Sequence, residues 1–376
     1  MADIGRKDWD RLISSNTSKN CINPFIQYDF LSSLEASGSV GSGSGWQPRH
    51  VSVRQDGRLV AAAPCYLKAH SQGEYVFDHG WADAFERAGG AYYPKLQIAM
   101  PFTPATGPRL LVAGSAPLTR LDLAATLARL PEALGVSSLH ATFLDEDDRG
   151  SFELAGLLMR SDIQFHFFNR GYRDRADFDA TFASRKRKQM RKEREAALAT
   201  GLTLRRLTGT DLTEEVWDSF FSFYMDTGGR KWGRPYLNRR FFSLIGETMS
   251  DRILLVGAER NGRLIAGALN FIGGDALYGR YWGAIEEHPF LHFELCYHQA
   301  IDFAIEHGLD RVEAGAQGEH KLARGYEPVI THSAHAMAHE GLRDAVADYL
   351  KRERAAIRQE AALLREHLPF RPPSMP

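Results

Sequence analysis

Cysteine is scarce: Cys21, Cys65 and Cys296 are spread along 376 residues with no Cys-x-x-Cys pair. That spacing excludes a disulfide framework and a structural zinc site, and it predicts a reducing compartment. Long apolar runs are also missing, since nowhere do about 18 apolar residues follow one another, so no integral membrane insertion is expected. Near the N-terminus Asp3, Lys7, Asp8, Asp10 and Arg11 interrupt the apolar core that a secretion signal needs, and the expected location is cytoplasmic. A formal net charge of −1 excludes a globally basic nucleic-acid binder, although local basic patches remain. No Gly-x-Ser-x-Gly elbow is present, which removes support for a serine hydrolase.

What is there suits a globular chain. A composition of 44% hydrophobic and 25% charged residues fits packed domains, and 376 residues suit two of them. Asn23-Pro24-Phe25 caps a helix expected to end near Glu35. Residues 37–45, made of serine, glycine and one valine, read as a flexible loop. Two strand-like runs, His50 to Arg54 and Leu59 to Tyr66, flank Asp56-Gly57, and the same pattern recurs at Arg252 to Ala258 and Leu264 to Phe271 around Asn261-Gly262. A supersecondary unit that occurs twice suggests a duplicated domain. Between the hairpins lies an aromatic and proline-rich loop containing Tyr92, Tyr93, Pro94 and Lys95, then a helix over Leu118 to Leu134 and strands over Ser138 to Leu144 and Gln164 to Asn169.

The second half carries more chemistry. Residues 176–200 read as one helix, with seven basic side chains between Arg185 and Arg194. They spread around the helix, so one face offers several cations to a phosphate-sized anion, the alternative being a solvated surface. Residues 228–235 read as a basic loop with Arg230 and Trp232. Ala276 to Trp282 alternates as a strand, and Phe290 to His307 reads as a helix on which Glu294, His298 and Asp302 share a face, either catalytic or a solvated ion-pair ladder. A strand over Arg311 to Ala314 leads into Gly315-Ala316-Gln317-Gly318-Glu319-His320-Lys321, then Arg324-Gly325-Tyr326. A carboxylate, an imidazole, an ammonium and a guanidinium between glycines is a composition suited to an active site. His332, His335 and His339 do not make a metal face, because Val329 to Met337 alternates as a strand and sends His332 and His335 to opposite sides. Residues 341–367 form a long charged helix that braces one domain or a partner subunit, leaving an oligomer possible.

Asn23-Pro24-Phe25 with Phe30-Leu31 and Glu35, Tyr92-Tyr93-Pro94-Lys95 with Pro101-Phe102-Thr103-Pro104, Arg185-Lys186-Arg187, His292-Phe293-Glu294 with Cys296-Tyr297, and the stretch from Gly315 to Tyr326 together resemble the Fem-like predicted N-acyltransferases. This is the branch of the GNAT superfamily associated with peptidoglycan biosynthesis and recognition. The resemblance implies an α/β (α+β) fold of two tandem GNAT-like domains, each a mixed bent sheet flanked by helices, over residues 1–170 and 171–340, with a C-terminal helix and tail over 341–376. It also implies acyl or aminoacyl transfer from acyl-CoA or aminoacyl-tRNA to an amine acceptor, with no tightly bound cofactor. At the junction where acetyltransferases carry a glycine loop for coenzyme A, Glu287 to His292 has no glycine.

Acyl transfer needs a base for the amine, a polarised carbonyl and a protonated leaving group. Glu319 or His320, with Glu294 in reserve, are the candidate bases, and Tyr326 is the candidate acid. Gln317, Lys321, Arg324, His292, Tyr281, Trp282, Tyr93, Lys95, Arg230 and Trp232 are the candidate binding residues, Lys321 and Arg324 toward a phosphate or carboxylate. The rival from another class is a non-catalytic recognition module of the same fold that binds an anionic cell-wall precursor or nucleic acid.

Overall fold

Turn chemistry sets the two hairpins. Asp56, Gly57, Asn261 and Gly262 all adopt left-handed backbone, with φ of 51°, 77°, 53° and 76°. This pairing matches the twist of the flanking strands in a tight hairpin. The computed structural model describes residues 1–16, 22–199, 201–232, 235–315 and 318–371, with the side chains of 230–232 and 319 outside the description.

The described residues fall into two compact units. Those within Met1–Lys19, Phe25–Ile163 and Ile330–Glu360 make the first, and those within Asn20–Pro24, Gln164–Val329 and Ala361–Pro376 make the second. The divide differs from one at 170 and 340. The strand Glu327–Met337 pairs antiparallel with Ser138–Thr142, and Leu342, Val346 and Leu350 of the helix Glu340–Glu366 pack on Trp81 and Tyr92. Burial of these apolar side chains holds the late strand and most of the last helix in the first unit.

In the first unit, Trp46–Pro48, Cys65–Lys68 and Lys95–Ile98 run antiparallel in that order, and Lys95–Ile98 then pairs in parallel with Ser138–Thr142. The helix Arg120–Leu134 makes the crossover, as a parallel pair requires. It starts at a Thr119/Asp122 capping box, stops at left-handed Gly135, and lays Leu123, Ala124 and Leu127 on Leu96, Ile98 and Leu139. The hairpin Val51–Gln55/Arg58–Ala63 forms a separate small sheet with Leu111–Val112.

The second unit repeats the scheme. Thr203–Leu207, Ile253–Arg260, Arg263–Ile272 and Ala276–Ala284 run antiparallel, and Ala276–Ala284 then pairs in parallel with Arg311–Glu313 after a helical crossover. Each unit is thus a mixed sheet with flanking helices, but the two hairpins are not equivalent: Val51–Gln55/Arg58–Ala63 stands outside the first unit's main sheet, whereas Ile253–Arg260/Arg263–Ile272 lies inside the second's.

Four local expectations change. The helix expected from Asn23-Pro24-Phe25 begins only at Tyr28, after a separate short turn over Pro24–Ile26. Residues 176–200 are two helices, Arg175–Ala180 and Ser184–Leu198, because Phe182 leaves the helical path to bury itself against Phe178 and Phe370. Residues 228–232 belong to the helix Glu214–Trp232 and not to a loop. Residues 37–45 are tied down as turns: Ser44 Oγ accepts from the Gly41 amide at 3.0 Å and donates to the Gly41 carbonyl at 2.9 Å, and Val40 is buried.

Candidate active site

The strand Ala276–Ala284 pairs with Arg311–Glu313 only from Ala276 to Tyr278. Beyond that point Arg280 is an extra residue opposite the Leu269/Asn270 step, a bulge that re-aims Tyr281 and Trp282. A cavity of about 100 Å³ opens where the two strands part, lined by Tyr281, Trp282, His292, Cys296, Tyr297 and Ala314 among others. A larger cavity of about 710 Å³ shares Trp282 and His292 and is walled by Asp226, Glu286 and Glu287. Glu286 is partly neutralised by Arg260 at 3.2 Å and lies 3.0 Å from His288 Nε2.

The helix that supplies His292 is not a plain α-helix. Leu291–Phe293 and Gln299–Glu306 are joined by one π turn, Glu294–His298. A π turn adds a residue to the repeat and rotates the next helical segment about the axis, a device common at functional sites. Here Glu294, Leu295, Tyr297 and His298 are all buried, while Cys296 and Tyr297 also border the small cavity. The Tyr297 hydroxyl and His320 Nε2 lie 2.9 Å apart, and the rings of His292, Phe293 and Tyr297 stand 5.5–6.2 Å from each other or from His320. The His320 side chain is exposed. The structure therefore gathers His292, Tyr281, Trp282, Tyr297 and His320 around one opening in the second unit.

Beneath this opening is a layer of charge. Arg194 donates to both Glu294 oxygens at 3.0 and 2.8 Å and to Asp302 at 2.8 Å, and Gln299 adds a bond to Glu294 at 2.8 Å. Arg175 binds Asp302 at 2.9 Å and His298 Nδ1 at 3.0 Å. Burial, then the neighbouring Arg175 and Arg194, push His298 well below its ordinary pKa and keep it neutral. The face bearing Glu294, His298 and Asp302 is thus a buried ion network, not a solvated ladder, and the Glu294 carboxylate, 1% exposed, is committed to Arg194 and Gln299.

Other candidates take positioning places. Arg324 donates to Glu193 at 2.6 Å and to the His320 carbonyl at 2.7 Å, and its guanidinium lies 3.5 Å from the centroid of the Phe293 ring. It fastens the His320 turn to the basic helix. Lys321 is 1% exposed and donates to the Gly315 carbonyl at 2.9 Å. Burial lowers its pKa to about 7, with only Cys296 opposing the shift. Tyr326 is fully buried, its hydroxyl donating to the Tyr297 carbonyl at 3.4 Å, and burial raises its pKa.

Tyr93 and Lys95 belong to the first unit. Lys95 is buried, bonded to Asp78 at 2.6 Å, Glu74 at 2.9 Å and Ser71 at 2.8 Å, while the Tyr93 hydroxyl meets Ser71 at 2.8 Å. Lys68, Tyr92, His140 and His335 extend this interior network. Gln317 and the side chains of Glu319, Arg230 and Trp232 lie outside the described residues. Among the described residues no group of three His, Cys, Asp or Glu could hold a metal ion, and no helix is long and apolar enough to cross a membrane. Sequence reasoning missed Asp226, Glu286, Glu287 and Cys296 as cavity residues. The Glu286-Glu287 pair beside His288-Pro289 was the available signal, but the partner helix that closes the wall was not visible.

A mixed sheet with a helical crossover, splayed strands and an aromatic cavity at the splay defines a mixed α/β architecture with a site at the splay. The FemAB-like family, described as peptidoglycan biosynthesis/recognition, matches residues 1–372, and the chain belongs to it. A crystal structure of FemX is similar at TM-score 0.51 and 12% identity, covering 91% of this chain and 98% of that one. L-PGS from Bacillus licheniformis is similar at TM-score 0.51 and 10% identity, covering 93% and 98%. The C-terminal domain of a putative lysylphosphatidylglycerol synthetase from Agrobacterium fabrum gives 0.52 and 9%, covering 93% and 96%. At these identities the likeness is one of fold. A comparison with curated proteins finds no match.

Proposed function

We propose that the second unit transfers an acyl or aminoacyl group from an activated donor to an amine acceptor in cell-wall metabolism. Family membership supports this reading, and the observation that carries it is the meeting of two cavities at Trp282 and His292 beside the Tyr297–His320 pair. The acceptor, a cation until it reacts, enters the larger cavity along Asp226 and Glu287. The donor carbonyl reaches the smaller cavity, where strand amides beyond Tyr278 face the developing oxyanion.

His320 accepts the ammonium proton, held by the Tyr297 hydroxyl, and the free amine nitrogen attacks the carbonyl carbon. The new C–N bond forms as the ester or thioester bond breaks, the attacking nitrogen sheds its extra proton to solvent, and the leaving oxygen or sulfur takes the proton that His320 removed from the ammonium. Glu294 holds the π turn through Arg194, and Arg324 holds the His320 turn, so both serve by positioning. The donor is aminoacyl-tRNA or acyl-CoA. The basic helix Ser184–Leu198 flanks cavities of about 640 and 600 Å³ lined by Arg187, Lys188, Arg191 and Lys192, which suit the phosphates of either donor.

The test supplies aminoacyl-tRNA or acyl-CoA with a mixture of amine acceptors and tracks new amide by mass spectrometry. Wild type forms amide from one donor, and His320→Ala lowers kcat by about 10²-fold or more. Salt-dependent binding of either donor with no amide formed would instead favour a recognition module.

A further inference from the structure

The first unit contains a cavity of about 480 Å³ whose lining shares no residue with the cavities of the second unit. Four cations line it: Lys351, Arg354 and Arg358 from the helix Glu340–Glu366, and Arg149 from the helix Glu146–Leu154. Its floor includes Leu157, Met159 and Leu350. Arg149 is paired with Glu146 at 2.8 Å and with Glu153, the one carboxylate of the lining, at 3.7 Å, so the charge left over is that of the last helix. The last helix pairs its charge elsewhere, since Arg352 meets Asp348 at 3.1 Å and Glu353 takes Arg160 at 2.7 Å. On the cavity face, among the described residues, Lys351 and Arg358 have no ion-pair partner, and Arg354 donates to the Met159 carbonyl.

Positions 351, 354 and 358 fall on one helix face, and the span from first to last is about 10 Å at about 1.5 Å per residue. A single phosphate occupies one guanidinium fork, so a ridge of this length matches two linked phosphates or more. The apolar floor suits a ring or aliphatic group attached to them, and the volume lies in the range of small-molecule sites. We propose that this cavity binds an organic diphosphate of the nucleotide type, its phosphates along Lys351, Arg354 and Arg358 and its organic part on Leu157, Met159 and Leu350. The site lies wholly within the first unit and stands independently of the transferase reading.

The experiment is calorimetric titration of the full chain with ADP, AMP and inorganic pyrophosphate. A double variant, Lys351→Glu with Arg358→Glu, changes two solvent-facing side chains. A control variant, Arg58→Glu with Arg263→Glu, makes the same change of charge at exposed hairpin residues that line neither this cavity nor those of the basic helix. The expected result is ADP binding that exceeds AMP binding and weakens with salt. The double variant should lose at least about tenfold in affinity at unchanged melting temperature without ligand, and the control should bind as wild type. The proposal is overturned by ADP that does not bind, by loss in the control variant alone, or by inorganic pyrophosphate that binds as tightly as ADP.

Discussion

Replacing Lys321 by methionine isolates the energetic cost of an ammonium buried beside the candidate site. Lys321 is 1% exposed with its pKa brought down to about 7 by burial, whereas an unfolded lysine titrates near about 10.4. Between those values the unfolded chain binds the proton and the folded chain does not. Stability must therefore rise with pH across that window, the penalty for the buried ammonium being present in full below about 7 and gone above about 10.4. The slope is about 1.4 kcal/mol per pH unit, which gives on the order of 4 kcal/mol over the window. Methionine keeps the stem and drops the titration. Urea unfolding of both proteins from neutral pH to about pH 10 reads the difference, with Lys68, also lowered to about 7 by burial, cancelling between them. The stability of wild type relative to Lys321→Met should climb steadily with pH. A difference that stays flat would refute a buried, uncompensated ammonium.

The same geometry makes four more outcomes testable. Glu294→Ala leaves the Arg194 guanidinium facing Asp302 alone, and stability should fall by roughly 3–5 kcal/mol in denaturant titration; a loss under about 1 kcal/mol contradicts the network. A Cβ at Gly283 would collide with the Phe223 backbone, so Gly283→Ala should displace the helix Glu214–Trp232 and lower the melting temperature, whereas Gly150→Ala, where a Cβ meets nothing within 4 Å, should not. Thr119→Ala removes the capping box and should cost about 1 kcal/mol, measured by thermal unfolding. Trp282→Ala, which opens the wall shared by both cavities, should raise KM for the amine more than it lowers kcat in steady-state kinetics.

The fold was legible where its causes are local. Asp-Gly and Asn-Gly turns and strand alternation depend on neighbours a few residues away, whereas the different places that the two hairpins take in their sheets do not. What escaped depends on distant partners. The helix break at Phe182 needs Phe370, and the burial of Glu294 needs Arg194, a hundred positions earlier in the chain. The ion layer of the first unit needs Glu74 and Asp78 folded under Lys68 and Lys95. At the site, His292, Tyr281, Trp282 and His320 were named from composition and motif. The π turn that sets their register leaves no signature in a pattern read at ordinary helical spacing.

The most direct measurement is single-turnover amide formation by wild type, His320→Ala and Tyr297→Phe with the donor that supports transfer. The account predicts a severe loss of rate for His320→Ala and a smaller one for Tyr297→Phe, with donor binding retained in both. Wild-type rates in both variants would contradict it.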